Sequence, residues 1–257
     1  MRAMETLTTD RRMAALLDTT ETFADLVDGL DPAIRVATCP DWQVRDLVGH
    51  IGQAYRWAAG LVHSGEPDAV PDPRLAEPGA PATWASWLRE GAVELVDAVA
   101  DVGPDAEVWT FLGPRTAAFW VRRMLNDAVV HVVDAAITAG RAHRTPAELA
   151  ADVIIEGLEL LTAAVAETLK PDLAVLRGDG ETLLFRPTEP GIAPWRVTRT
   201  PSGISVARSP IAADVELSGP VADVMPVFAR RLPATDPSVT IIGDQPLLAH
   251  WLAATAF

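Results

Sequence analysis

The sequence predicts an α-helical N-terminal domain, a four-helix bundle, followed by a smaller α+β C-terminal domain, divided at residues 1–143 and 144–257. Three observations lead to the two parts. Up to Gly140, four long segments read as helices with mostly apolar inner faces, and no strand signal appears among them. The link Gly140-Arg141-Ala142-His143-Arg144-Thr145-Pro146 is polar and proline-terminated, as boundaries are. Beyond it, runs such as Trp195-Arg196-Val197-Thr198 alternate apolar and polar residues between turn signals.

The elements follow in order. Asp10 to Leu30 carries Met13, Leu16, Leu17, Phe23, Ala24, Val27 and Leu30 on one helical face. Asp31 to Pro40 is a connection, and Asp41 reads as the N-cap of a helix running to about Val62. Its stripe is Val44, Leu47, Val48, Ile51, Ala54, Ala58 and Leu61. His63 to Pro81, broken by Pro67, Pro71, Pro73 and Pro78, reads as a surface loop or lid. A third helix spans Thr83 to Val102, although Trp84, Leu88, Val93, Leu95 and Val96 give no single stripe. Pro104 to Pro114 is a loop carrying Trp109 and Phe111. The fourth helix runs uninterrupted by Gly or Pro from Ala117 to Ala139, with Gly140 as its C-cap. No strand is expected in this half.

In the second half a helix is expected from Ala147 to Leu169. Leu173–Leu176 and Thr182–Arg186 read as a hairpin around Asp179-Gly180, and Trp195–Arg199 with Ile204–Ala207 as another. Ala213–Leu217 is a further strand, Gly219-Pro220 opens a helix to about Arg231, and Val239–Ile242 is a short strand before a last helix, Gln245–Ala254.

Composition narrows the function. Of 257 residues, 49% are apolar, so a substantial core is available. A net charge of −14 argues against nucleic acid or an anionic membrane as partner. Small molecules remain, including acids if a pocket is locally basic. Cys39 is the only cysteine, so no intrachain disulfide forms, which suits a reducing cytoplasm. No apolar stretch near the amino terminus reads as a leader, and none elsewhere approaches the roughly 18 residues that span a bilayer. Phosphate-cradling and dinucleotide-binding glycine motifs are absent. Either a monomer or a homodimer fits.

The chemistry gathers on two helices. Asp127 and His131 are four apart and share a face, with Asp134 three further on. Such residues either form a satisfied buried His–Asp hydrogen bond or grip a metal ion. His50, at the inner edge of the earlier stripe, adds a third donor if the two helices meet, and three protein ligands are what a catalytic zinc uses. Cys39, beside Pro40, lacks the partners of a nucleophile and reads as structural. His63 and His143 read as solvated and His250 as packing or surface. Trp42, Trp57 and Trp120 read as core, although Trp57 lies seven beyond His50 and Trp120 seven before Asp127, where they could wall a pocket.

Cys39-Pro40-Asp41-Trp42-Gln43-Val44-Arg45-Asp46-Leu47-Val48-Gly49-His50 resembles the P-x-W-x-V-x-D-L-x-x-H opening of the mycothiol-dependent maleylpyruvate isomerase family, among the DinB-like metal-binding bundles. Asp127-Ala128-Val129-Val130-His131-Val132-Val133-Asp134 resembles that family's E-x-x-x-H-x-x-D. Ala213 to Pro220, Arg230-Arg231-Leu232-Pro233 and Val239 to Asp244 look like its sterol-carrier-like C-terminal domain. The resemblance implies a divalent metal, zinc, on His50, Asp127 and His131, with Asp134 supporting a ligand. It implies mycothiol as cosubstrate and Arg231 as an active-site cation for a carboxylate. Trp57, Trp120 and Arg231 are the expected cosubstrate-binding residues. Isomerisation of a maleylpyruvate-like acid or S-transfer to an electrophile is the implied activity. The chain departs from the pattern at Asp127, where the family has Glu. The shorter acid keeps a second reading open: a non-catalytic small-molecule-binding or regulatory protein with a vestigial metal site.

Overall fold

The computed structural model describes residues 7–255. Residues 1–6, part of the stretch searched for a leader, and 256–257 lie outside the described residues. Two compact units divide after His143.

In the first unit, α1 (Thr9–Val27) starts at Thr8, whose hydroxyl accepts the Arg11 N–H, and buries Leu16, Phe23 and Val27. A small antiparallel hairpin follows, β1 (Arg35–Val36) and β2 (Cys39–Gln43). α2 (Val44–Ser64) begins where the Asp46 carboxylate accepts the Gln43 N–H at 2.9 Å, and ends at Gly65 with φ 68°. Two 3-10 turns, Pro73–Leu75 and Pro81–Thr83, punctuate the proline-rich loop. α3 (Trp84–Val102) is followed by a second small hairpin, β3 (Glu107–Val108) and β4 (Arg115–Thr116), and by α4 (Ala118–Ala139), which ends at Gly140 with φ 62°. α1 packs on α3 and α4, and α2 packs on the same two, which closes a four-helix bundle.

Two expectations are corrected here. Asp41 is no N-cap: it lies in β2, and the helix starts three residues later. Pro40 holds Cys39 extended, and Arg35 pairs with Gln43 across the ladder. The strands of this half are only two to five residues long, too short for an alternation of apolar and polar residues to announce them. The missing stripe of α3 also has an explanation. Its buried face mixes Trp84, Leu88 and Leu95 with Gly91, Ala92 and Ala98, while Val93 points out at 44% exposure. Small residues let α3 approach α2 closely. A Cβ placed on Gly52 would sit 2.1 Å from the Trp87 ring, and one on Gly91 would sit 2.6 Å from the Arg56 guanidinium. Arg56 lies over the Trp87 ring at 4.6 Å and donates to the Gly52 and Trp87 carbonyls.

The second unit opens with α5 (Ala147–Leu161) and α6 (Ala166–Leu169). The single long helix expected here is interrupted at Thr162, whose hydroxyl donates back to the Leu158 and Glu159 carbonyls. Leu173–Leu176 is no strand but part of a 3-10 turn begun by Pro171. That turn buries Leu173 and Leu176, three apart, on one side. Five strands then form a sheet: β5 (Thr182–Pro187), β6 (Trp195–Thr200), β7 (Gly203–Arg208), β8 (Val215–Gly219) and β9 (Thr240–Gly243). The spatial order is β7-β6-β5-β8-β9, with β5 and β8 parallel and the other neighbours antiparallel. α7 (Val221–Phe228) and α8 (Gln245–Ala254) complete the unit. Phe185, Trp195, Leu217, Met225 and Trp251 form its core, with Phe228 edge-on to Phe185. α7 stops short of the expected Arg231. Arg230 takes a left-handed φ of 60°, and the Arg231 N–H turns back to the Pro226 carbonyl at 2.7 Å. Among the described residues, no helix is long and apolar enough to cross a membrane.

The close α2–α3 approach predicts that Gly52→Ala destabilises the chain. Helix propensity favours alanine by about 1 kcal/mol, but a methyl driven into the rigid indole of Trp87 costs about 1–3 kcal/mol. Urea unfolding is expected to show a net loss, and Trp87→Ala in the same background is expected to relieve part of it.

Candidate metal centre

α2 and α4 run antiparallel with their inner faces in register. His50 on α2 meets Asp127 on α4, and seven residues on, Trp57 meets Trp120 seven residues back. His50 Nε2 lies 2.8 Å from Asp127 Oδ2. The His50 and His131 rings stand edge to face with centroids 4.8 Å apart. One donor atom from each of His50, Asp127 and His131 lies within 4.8 Å of the other two. Ligands around a tetrahedral zinc, at bonds of about 2.0–2.2 Å, are about 3.3 Å apart. Small side-chain movements therefore suffice to surround an ion. Two nitrogens and one oxygen are donors zinc accepts, so the residues fit the metal.

The Asp127 carboxylate is divided between two partners. Oδ2 faces His50, and Oδ1 accepts from Arg123 Nη2 at 2.8 Å, one helical turn earlier. Burial pushes its pKa up, but His50, Arg123 and His131 together outweigh that and hold it well below the usual carboxylate range. An ionised carboxylate can only accept, so His50 Nε2 carries a proton here, which a metal would replace. Arg123 was not singled out by the sequence reading. The i,i+4 spacing to Asp127 was the available signal, but such pairs are commonly solvated.

His131 is held differently. Its Nδ1 lies 2.7 Å from Asp134 Oδ2, and the Asp134 side chain is fully buried. That bond leaves the other ring nitrogen, Nε2, as the one with metal-binding capacity. Asp134 also accepts the Thr38 hydroxyl on Oδ1, and Cys39 Sγ lies 3.8 Å from Oδ2. Cys39, His131 and Asp134 form a second group close enough to grip an ion. Its carboxylate, however, already holds the ring and Thr38. Trp42 stacks on His131 at 5.7 Å and 28°, and tilts over His50 at 5.0 Å. Trp42 and Thr38 have no local signal as site residues, because the short β1–β2 hairpin that delivers them has no sequence period.

The other expected residues are placed as follows. Trp120 is fully buried, its N–H given to the Trp109 carbonyl at 3.0 Å, within a cluster of Trp57, Trp109, Phe111 and Phe119. Its surroundings are those of a core residue. Trp57 is half-buried, two turns along α2 from His50. Arg231 belongs to the second unit, where its Nη1 donates to the Ala229 carbonyl. His250, on α8, donates its Nε2 proton to the Val175 carbonyl at 3.0 Å.

A four-helix bundle carrying two imidazoles and a carboxylate across facing helices, joined to a sheet-containing unit, defines a DinB-like protein. The model of the mycothiol maleylpyruvate isomerase N-terminal domain matches residues 14–136, and that of the MDMPI C-terminal domain matches 148–250. The chain belongs to the mycothiol-dependent maleylpyruvate isomerase family. Its fold is that of a crystal structure of the mycothiol-dependent maleylpyruvate isomerase, with TM-score 0.61, 15% identity, and 94% of this chain and 95% of that one covered. A histidine-to-alanine mutant of that isomerase matches over the same shares, at TM-score 0.56 and 14% identity. A ubiquinone synthesis protein of the sterol-carrier type reaches a TM-score of only 0.30 over 40% of the chain. No curated protein matches the chain.

The contrast between the two tryptophans is measurable. Trp120→Ala is expected to cost about 3–5 kcal/mol of stability, as for a large core truncation. Trp57→Ala should cost distinctly less in the same denaturant titration.

Proposed function

We propose that the chain is a metal-dependent enzyme that uses a low-molecular-weight thiol, mycothiol, to isomerise a maleylpyruvate-like acid or to transfer sulfur to an electrophile. The observation that carries this reading is the convergence of His50, Asp127 and His131 from two helices, in a chain of this family. These three residues would hold zinc, and a zinc ion there would keep a bound thiol deprotonated near neutral pH.

The chain's own residues prepare that site. Asp127 contributes the anionic donor, and Arg123 keeps its second oxygen engaged so that the carboxylate presents the first. Asp134 holds the proton of His131 on Nδ1. Trp42 covers both imidazoles and limits water around them. Trp57 offers an apolar wall further along α2. In the isomerisation, the cosubstrate thiolate adds to the conjugated double bond, the resulting single bond rotates, and the thiolate leaves. The thiol is thus regenerated, and atoms balance without an oxidant. S-transfer shares the first bond-forming step but keeps the new C–S bond. The part given to Arg231, pairing with a substrate carboxylate, follows from the family pattern.

Elemental analysis of protein purified without added metal is expected to find about one zinc per chain. His50→Ala, Asp127→Ala and His131→Ala should each lose it and lose thiol binding. A metal-free wild-type chain that still binds an apolar ligand would instead support the second reading, a non-catalytic small-molecule-binding protein. Chromatography of the products separates isomer from thiol conjugate. Arg231→Ala is expected to raise KM for a carboxylate substrate about ten- to a hundredfold, the worth of a charge-assisted hydrogen bond, with zinc content unchanged.

A further inference from the structure

We infer that the β1–β2 hairpin is the device that orients His131, and that Thr38 is its positioning residue. The inference rests on His131 being a metal ligand. Asp134 and His131 are three apart on α4, so their contact is local and does not by itself fix the ring. The carboxylate is held from outside the helix. Thr38, 96 residues earlier in the chain, gives its hydroxyl to Oδ1 while Oδ2 takes the ring N–H. A carboxylate pinned at both oxygens cannot rotate away from the imidazole. Its orientation fixes both the tautomer and the tilt of His131.

The hairpin is built for this delivery. Val36, fully buried, anchors it, and β1 packs on α4. Arg35 Nη1 ties its two strands by donating to the Pro40 carbonyl at 2.9 Å. Thr38, in its turn, and Cys39, the first residue of β2, face Asp134. Trp42, near the other end of β2, stacks on the face of the same imidazole. One short element therefore holds His131 at two places: at its Nδ1 edge through Asp134, and on its ring face through Trp42. The competing assignment puts a metal on Cys39, His131 and Asp134. It would require the metal to displace the Nδ1 proton and share the carboxylate with Thr38.

The test uses the full chain and zinc. Competition with a chromophoric chelator is expected to show that Thr38→Val weakens zinc binding about ten- to a hundredfold, the usual effect of losing a supporting partner. Thr38→Ser, which restores the hydroxyl, should return it to within a few-fold of wild type. Nitrogen-15 NMR of the metal-free wild-type chain should find the His131 proton on Nδ1, a readout that does not depend on the variant folding. In the cobalt-substituted protein, no thiolate-to-metal charge-transfer band is expected. Unchanged zinc affinity in Thr38→Val, an Nε2–H tautomer at His131, or a thiolate band lost in Cys39→Ser would each overturn the inference. A wild-type chain without zinc affinity would overturn the metal reading instead, and the tautomer would then decide the role of Thr38.

Discussion

Two carboxylates on the inner side of one helix set the terms for the bundle. Asp127 and Asp134 stand two turns apart on α4 among Met124, Leu125, Ala128, Val132 and Ala135. An anion withdrawn from water costs several kcal/mol unless neighbours replace the lost solvation. Each carboxylate has been given such neighbours from elsewhere in the fold: His50 from α2 for the first, Thr38 from the β1–β2 turn for the second. Asp134 is fully buried and Asp127 partly so, and charge in such places adds little net stability compared with well-packed apolar side chains. Its presence at the heart of a small bundle points to chemistry rather than to cohesion.

The rest of the bundle makes that arrangement possible through size. Gly52 and Gly91 remove side-chain bulk where α2 and α3 meet, and Trp87 and Arg56 fill the seam. α2 is thereby fixed on one side against α3 while its opposite face presents His50 to α4. Tyr55, fully buried on α2, shares a hydrogen bond with Thr20 of α1 at 3.0 Å, which fixes the rotation of the same helix from a third direction. Burial pushes the Tyr55 hydroxyl pKa up, so it stays protonated and neutral in the core.

The second unit follows a different logic. Its sheet places the parallel pair β5 and β8 at the centre, and the alternation of β6 and β8 puts Trp195, Val197, Val215 and Leu217 on the covered face. Edge positions are more exposed, as Ile242 shows at 63%. The unit closes on aromatic contacts among Phe185, Phe228 and Trp251, and Arg186 of β5 pairs with Glu216 of β8 at 2.7 Å. Left-handed Arg230 ends α7 and turns the chain toward Arg231, so the backbone, not a helix face, sets where that guanidinium begins.

Much of this was legible in the chain itself. Gly140 ends α4 as the expected left-handed cap, and the apolar faces of α1 and α2 follow from local spacing alone, although α2 runs on to Ser64, two residues past the expected Val62. The grouping of Asp127, His131 and Asp134 on one face is likewise a property of helical geometry. Strands β6 to β9 showed themselves by period and turn residues. Other features had no local signal. The two small hairpins, the break at Thr162 and the 3-10 turn at Pro171 each depend on a hydrogen bond or a packing contact that no period encodes. Thr38, Arg123 and Trp42 are ordinary residues until the fold brings them to Asp134, Asp127 and the imidazoles. The sequence determined which donors exist and which helix faces carry them, because side-chain direction in a helix is fixed by spacing. Only the tertiary structure decided which oxygen meets which nitrogen, because that depends on contacts between segments far apart in the chain.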